Sequence, residues 1–359
     1  MIGCDPLPGP TATIRHDRKE LTGLTHLMSN HFIGVDAGGT TTRALLATEA
    51  GEIIGVGRAA GANSWSSGTS VSDAITTAMR AAISESGPTS VAGGAIAVAG
   101  GGAHSPEIAA EIDEGWRALG LSGSPELVLD VVAAYAAGTT APRGLVLAAG
   151  TGAISAVIDR GQVLRRAGGH GWMVGDEGSA VWLGRKGAQA ALRALDGRGP
   201  ETVLSTMICE ALQVDGTDAV STASGIVAAV NGRPPAQVGQ LAPLVVDACE
   251  HGDPVAQGLV EAAAGHLADT AAAAMGHERP AVIVLAGSLL LRAAAIRRPV
   301  RARLAELWPA APIVETSSGE AGAVALAITR HTGTPISEAV LACLRGDTPR
   351  GGELTAVTE

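Results

Sequence analysis

The chain reads as an α/β protein made of two related units, and three observations carry that reading. A glycine turn between extended runs occurs twice, at Asp36-Ala37-Gly38-Gly39-Thr40-Thr41-Thr42 and at Gly150-Thr151-Gly152. Each copy continues into a tight reversal, Glu49-Ala50-Gly51-Glu52 or Asp159-Arg160-Gly161-Gln162, and then a third extended piece, Ile53–Arg58 or Val163–Ala167. One plan used twice marks an internal duplication. Finally, apolar runs ending in polar residues alternate with helical periodicity. That pattern points to a mostly parallel sheet whose ligands bind beyond the strands' carboxyl ends.

The first strand is Phe32–Val35, with Asp36 at its carboxyl end. Gly38 and Gly39 permit positive φ and leave room for a bulky ligand against the backbone. Successive N–H groups in such a turn form an anion-binding concavity, and the hydroxyls of Thr40 and Thr41 add donors. A carboxylate facing a phosphate cradle makes sense with a metal ion between them, as Mg²⁺ sits on nucleotides. The plainer alternative is a glycine-rich hairpin with a solvated Asp. Two such turns facing each other could hold a polyphosphate from both sides.

Composition narrows the function. The 359 residues suffice for two domains with sizeable cores. Aromatics are only 2% of the chain, so those cores are built from Ala, Val, Leu and Ile. A net charge of −10 argues against nucleic acid or anionic membrane as partner, and few rings remain for base stacking. Cys4, Cys209, Cys249 and Cys343 are far apart, which suits reduced thiols in a cytoplasmic protein rather than disulfides or a zinc knuckle. No apolar stretch approaches the length of a membrane span. Residues 1–30 carry Pro6, Pro8 and Pro10 but no secretory h-region; they read as a disordered extension, with Met28 an alternative start.

The remaining elements follow in order. Val71, Ile75, Ala78, Met79 and Ala82 set a helix over 70–86, stopped by Gly87-Pro88. Ala95–Ala99 is a short strand running into Gly100-Gly101-Gly102-Ala103-His104, and a helix follows from Pro106 to Leu119. Leu127-Val128-Leu129-Asp130 is a strand ending in a carboxylate, with Val131–Ala137 continuing as a helix. Asp130 is there either a catalytic group or that helix's N-cap. Gly168–Ser179 concentrates glycines, Asp176, Glu177, His170 and Trp172 before a helix over 179–195. Residues 200–275 are helix-rich, broken at Gly232–Pro235 and Gly252–Pro254. Ala281–Leu285 is a buried strand opening onto Gly287-Ser288; a helix near 289–306, a strand at Ile313-Val314, and Ser318–Ala323 before an Ala-rich helix complete the chain.

Taken together, these motifs resemble the actin-like ATPase and sugar-kinase superfamily, within it the N-acetylglucosamine kinase (BadF/BadG-type) branch, from His31 to about Leu344. The resemblance implies a two-domain, ribonuclease H-like α/β fold, with duplicated mixed five-stranded sheets flanked by helices around a central cleft. It divides the chain into 31–140 plus a C-terminal helix at about 333–346, 141–332 with a helical insertion at about 200–275, and a flexible tail at 347–359. It implies ATP and Mg²⁺ as cofactors. Asp36 would hold the metal; Gly38, Gly39, Thr40 and Thr41 would cradle phosphates opposite Gly150, Thr151 and Gly152; Gly287 and Ser288 would meet adenosine. Ala153 replaces a serine common in the family, removing one hydroxyl contact.

Asp130 matches the family's base for in-line transfer to a sugar hydroxyl. Asn63, Asp130, Thr151, Gly175, Asp176, Glu177 and His104 would surround the sugar, with Trp65, His170 and Trp172 nearby. Asp176-Glu177 has a plainer alternative, a solvated turn capping the helix at Ser179. The implied activity is phosphorylation of the 6-hydroxyl of glucosamine, with N-acetylglucosamine second, glucose third, and a sugar- or nucleotide-binding ATPase or sensor as the alternative class. Cys209 and Cys249 lack the glycine-rich settings of cluster ligands and read as structural. A homodimer is admitted, and the sequence leaves oligomeric state open.

Overall fold

In a computed structural model the described residues are 30–62, 70–86, 90–99 and 105–347. Asn63, Trp65, Gly87-Pro88, the Gly100–His104 loop, nearly all of the extension (1–29) and most of the tail (348–359) lie outside them. The elements are β1 (His31–Ala37), β2 (Thr41–Thr48), β3 (Ile53–Ala60), α1 (Val71–Ser86), β4 (Val91–Val98), α2 (Pro106–Ala118), β5 (Glu126–Leu129) and α3 (Asp130–Gly138). There follow β6 (Arg143–Ala149), β7 (Ala153–Asp159), β8 (Gln162–Gly168), α4 (Ala180–Leu195), α5 (Leu204–Leu212), α6 (Ala219–Asn231), α7 (Pro235–Val238), α8 (Ala242–Glu250) and α9 (Pro254–Met275). The chain closes with β9 (Ile283–Ala286), α10 (Ser288–Arg292), α11 (Ala294–Leu307), β10 (Ile313–Thr316), α12 (Gly319–Thr332) and α13 (Glu338–Arg345).

Two five-stranded mixed sheets result, ordered β3-β2-β1-β4-β5 and β10-β9-β6-β7-β8. Their matching order is the duplication written in space. Parallel pairing is not in the majority: β1–β3 and β6–β8 are antiparallel meanders joined by short reversals, and only β1/β4/β5 and β6/β9/β10 run parallel. Strand–helix alternation predicted the parallel half alone. β4 starts at Val91, earlier than the apolar run suggested, because Gly93 and Gly94 stay in the ladder. A Cβ on Gly94 would lie 2.5 Å from the ring of buried Trp116 in α2. The helix read over 289–306 is two, broken where Ala293 adopts an extended conformation.

Both faces of the first sheet are covered. Ile33, Val35 and Leu46 pack with Ile75, Met79 and Trp116 on one side. Phe32, Leu45 and Ala97 meet Ala133 of α3, Val324 and Ile328 of α12, and Leu341 of α13 on the other. So α12, within 141–332, packs on the first sheet. In the second sheet Leu145, Leu147 and Leu285 face the helical insertion, while Val146, Ile158 and Val284 face Val131, Val132 and Tyr135 of α3. Helix α3 is therefore held between the sheets, touching both cores.

Small residues make that possible. A Cβ on Gly322 would lie 1.8 Å from the Ala133 carbonyl oxygen, so α12 and α3 approach closer than any side chain allows. No helix among the described residues is long and apolar enough to cross a membrane. Gly322→Ala is expected to destabilise the protein by about 1–3 kcal/mol. Gly258→Ala, in the second turn of α9 with nothing near its Cβ position, is expected to stabilise by about 0.5–1 kcal/mol. Thermal denaturation of the two variants checks both signs.

Candidate active site

The first glycine turn links β1 to β2. Its hairpin is closed by Gly38 N–H donating to the Thr41 carbonyl at 3.2 Å, and Ala62 N–H donates to the Gly38 carbonyl at 2.9 Å. Neither Gly38 nor Gly39 takes positive φ. Clearance is tight around the turn: a Cβ on Gly38 would sit 3.0 Å from the Thr41 oxygen, and one on Gly61, which packs against the turn, would sit 2.3 Å from the Gly39 oxygen. The second turn is pinned to the start of α4, whose Ala180 N–H donates to the Gly150 carbonyl at 2.8 Å. The turns meet: Thr40 Oγ1 lies 3.0 Å from Thr151 Oγ1. Gly287 has φ +91° and its Cβ position is 2.4 Å from the Ala149 oxygen, while Ser288 Oγ lies 3.4 Å from the Cβ position of Gly150. Both predicted nucleotide loops and Gly287-Ser288 therefore share one region.

Three carboxylates converge on it from separate elements. Asp36 ends β1 beside the first turn. Burial raises it to about 7, assisted by the charges of Glu320 and Asp130 and opposed by Arg43. Asp130 is the first residue of α3, not its N-cap, which is Leu129. Its Oδ1 accepts Val131 N–H at 2.9 Å. Burial raises it to about 6 against that backbone bond, and Asp176 raises it further. Asp176 is buried, with φ +55°. Its Oδ1 accepts Gly171 N–H at 3.3 Å, and a Cβ on Gly152 would lie 2.8 Å from its Oδ2. Burial pushes Asp176 up too, partly offset by its backbone bonds to Gly171 and Ala153.

The residues of the Gly168–Ser179 loop separate. Gly175 is buried beside Asp176, whereas Glu177 and His170 are exposed and Trp172 is half-buried. Ser179 caps α4, its Oγ accepting Trp182 N–H at 3.1 Å, so the helix needs neither acid as a cap. Asn63 and His104 lie outside the described residues. Sequence reasoning gave no role to Arg43 or Glu320, which enclose Asp36. The signal was Gly319: a Cβ there would sit 2.7 Å from the Asp36 carboxyl carbon, so only glycine fits. A cavity of about 690 Å³ lies apart, lined by the crossover segments Gly138–Ala141 and Glu315–Ser318 and by α13; none of the three aspartates borders it.

Acids held above their ordinary value of 3.8 bind protons more tightly in the folded protein than in the unfolded chain. Their contribution to stability is present below 3.8 and is lost as pH rises through about 6 for Asp130 and about 7 for Asp36. In the ligand-free protein, Asp36→Asn and Asp130→Asn should each gain Tm relative to the parent, the gain growing across that interval and levelling above it. A gain independent of pH contradicts the raised values.

The chain is similar to several known proteins. Over 272 residues the chain is 28% identical to the glucosamine kinase of Vibrio cholerae, covering 73% of this chain and 86% of that protein. Over 120 residues it is 34% identical to the N-acetylmuramic acid/N-acetylglucosamine kinase of Clostridium acetobutylicum; that match spans 33% of this chain and only 39% of the Clostridium protein. A solved Chromobacterium violaceum structure, provisionally named N-acetylglucosamine kinase, superposes with TM-score 0.65 at 27% identity, covering 82% of this chain and 98% of that one. The sequence pattern of the BadF/BadG/BcrA/BcrD ATPase family matches residues 33–327. The chain belongs to the BadF/BadG/BcrA/BcrD ATPase family.

Proposed function

We propose that the protein is an ATP-dependent amino-sugar kinase, with glucosamine as its substrate and the 6-hydroxyl as the acceptor. The observation that carries this is the meeting of two glycine turns with Asp36, Asp130 and Asp176, drawn from both sheets into one region. Buried acids with raised values are characteristic of sites that handle protons or cations. The names of the Vibrio and Clostridium relatives give the same class of acceptor.

In this reading the turns at Gly38-Gly39-Thr40-Thr41 and Gly150-Thr151-Gly152 hold the phosphates of ATP. A phosphate between them takes over the hydroxyls of Thr40 and Thr151, now 3.0 Å apart. Gly287 and Ser288 lie against the adenosine. Asp36 fits a divalent cation, being a buried carboxylate with a second, Glu320, beside it whose Oε2 has no hydrogen-bond partner. Bound Mg²⁺ would supply neutralisation of the charge on the transferring phosphoryl group.

Asp130 orients the 6-hydroxyl and takes its proton as the hydroxyl oxygen bonds to the γ-phosphorus and the bond to the β,γ-bridging oxygen breaks, releasing ADP. A base placed in this way contributes about 10²–10⁴ in rate. With its value at about 6, Asp130 is mostly ionised at neutral pH yet basic enough to accept a proton. Asp176 pairs with the 2-ammonium. Exposed Glu177 is left to longer-range attraction. Exposed Met173 and Val174 in the same loop favour the second reading, N-acetylglucosamine, because a methyl group would pack there. The free thiols of Cys209, Cys249 and Cys343 fit a cytoplasmic setting.

A coupled ADP-release assay with Mg²⁺-ATP on glucosamine, N-acetylglucosamine, glucose and no sugar tests the proposal. Turnover strongest on glucosamine is expected; ADP release indifferent to sugar would replace the kinase with an ATPase. Asp176→Asn, which keeps a residue tolerant of positive φ, should cut kcat/KM for glucosamine by about ten- to hundred-fold. N-Acetylglucosamine should be less affected, and an equal loss on both sugars would remove Asp176 from the 2-position.

A further inference from the structure

Glu320 has only a supporting place in that reading, yet it stands among the groups on which the reading depends. It lies in the first turn of α12, directly after Gly319. The backbone at 319 abuts the Asp36 carboxyl group closely enough to forbid a Cβ. Of the charged neighbours of Asp36, Glu320 acts on it most strongly, ahead of Asp130. Its own Oε2 is buried and accepts no hydrogen bond.

The cation available is Arg43 on β2. One of its guanidinium nitrogens, Nη1, lies 3.9 Å from Glu320 Oε2 and donates to the Ser317 carbonyl at 2.9 Å. One guanidinium, its side chain 32% exposed, thus faces two carboxylates. A buried carboxylate without a partner is costly, and either a proton or a cation relieves it. An acid in a helix's first turn also meets the positive end of the helix dipole, but that effect needs no burial and no second carboxylate. Among the described residues no three His, Cys, Asp or Glu side chains group closely enough to cage an ion. Mg²⁺ needs no such cage, because it keeps several waters and takes one or two carboxylates plus phosphate oxygens.

We propose that Glu320 is a second carboxylate of the metal site, holding with Asp36 the water shell of the nucleotide-bound divalent cation. Arg43, 3.9 Å from Glu320 Oε2 and the cross-strand partner of Asp36, limits the repulsion between the two acids. The assignment rests on the nucleotide-binding part of the kinase reading and is independent of the sugar.

The test is a Mn²⁺ titration followed by the electron paramagnetic resonance of the free ion, with ADP present and no sugar, on the parent protein, Glu320→Gln and Glu320→Asp. Glu320→Gln should weaken Mn²⁺ binding to the protein–ADP complex by about ten- to hundred-fold, and Glu320→Asp by less. ADP affinity without metal should be unchanged. Unchanged Mn²⁺ affinity in Glu320→Gln, or an equal loss of metal-free ADP affinity, overturns the assignment. A parent protein that binds no ADP under either condition overturns the nucleotide reading and Glu320 with it. Mn²⁺–ADP binding that depends on Glu320, in a protein that turns over no sugar, would keep Glu320 and overturn the kinase.

Discussion

Like charges forced together out of water are the constraint around which this protein is arranged. Asp36, Asp130 and Asp176 are each raised first by burial; Glu320 and then Asp130 add to the load on Asp36, Asp176 adds to that on Asp130, and Glu177 to that on Asp176. In the empty protein this is unfavourable. The two sheet cores and the helices that cover them hold the groups in place regardless. Cations and hydroxyls of a bound substrate relieve the cost, so binding affinity and chemical purpose have one origin. Stability surrendered at a site in this way is a recurring mark of function.

The placing of Asp130 follows from how α3 is packed. The helix has nine residues and lies between both sheets, so its position is set by contacts on opposite sides. Gly322 lets α12 lie directly on its backbone, and a Cβ on Gly138 at its far end would sit 2.5 Å from Val284 of the second sheet. Arg345 of α13 reaches the carbonyls of Ala137 and Gly138 at 3.3 and 3.5 Å, and Glu338 accepts from Thr140 N–H at 3.3 Å. The chain's scarcity of aromatics belongs to the same design, because alanine and glycine allow backbones to approach where large rings would hold them apart.

Much of this was legible in the residues. The duplicated turn-and-reversal pattern gave β1–β3 and β6–β8, since alternating apolar runs and Gly51 or Gly161 at the reversals specify hairpins locally. Asp36 and Asp130 stood out because each follows an apolar strand. The mixed character of the sheets was not visible from strand–helix alternation, since pairing direction depends on which strands become neighbours. Gly38 and Gly39, which would permit positive φ, do not use it, whereas Gly287 and Gly178 do; a Cβ on Gly38 would meet the Thr41 oxygen at 3.0 Å, a property of what lies opposite. Asp176 and Glu177 both stood as sugar-facing candidates in sequence, and only the fold buries one and exposes the other. Glu320 was hidden because its partners, Arg43 and Asp36, are nearly three hundred positions away along the chain.

The central claim is that Asp130 accepts the sugar's proton during transfer. Its most direct test is single-turnover transfer of the γ-phosphoryl group from labelled ATP to glucosamine by the parent protein and by Asp130→Asn, with ATP binding measured on the same preparations. The account predicts a transfer rate lower by about 10²–10⁴ in the variant with ATP affinity retained. Equal transfer rates in the two proteins would contradict it.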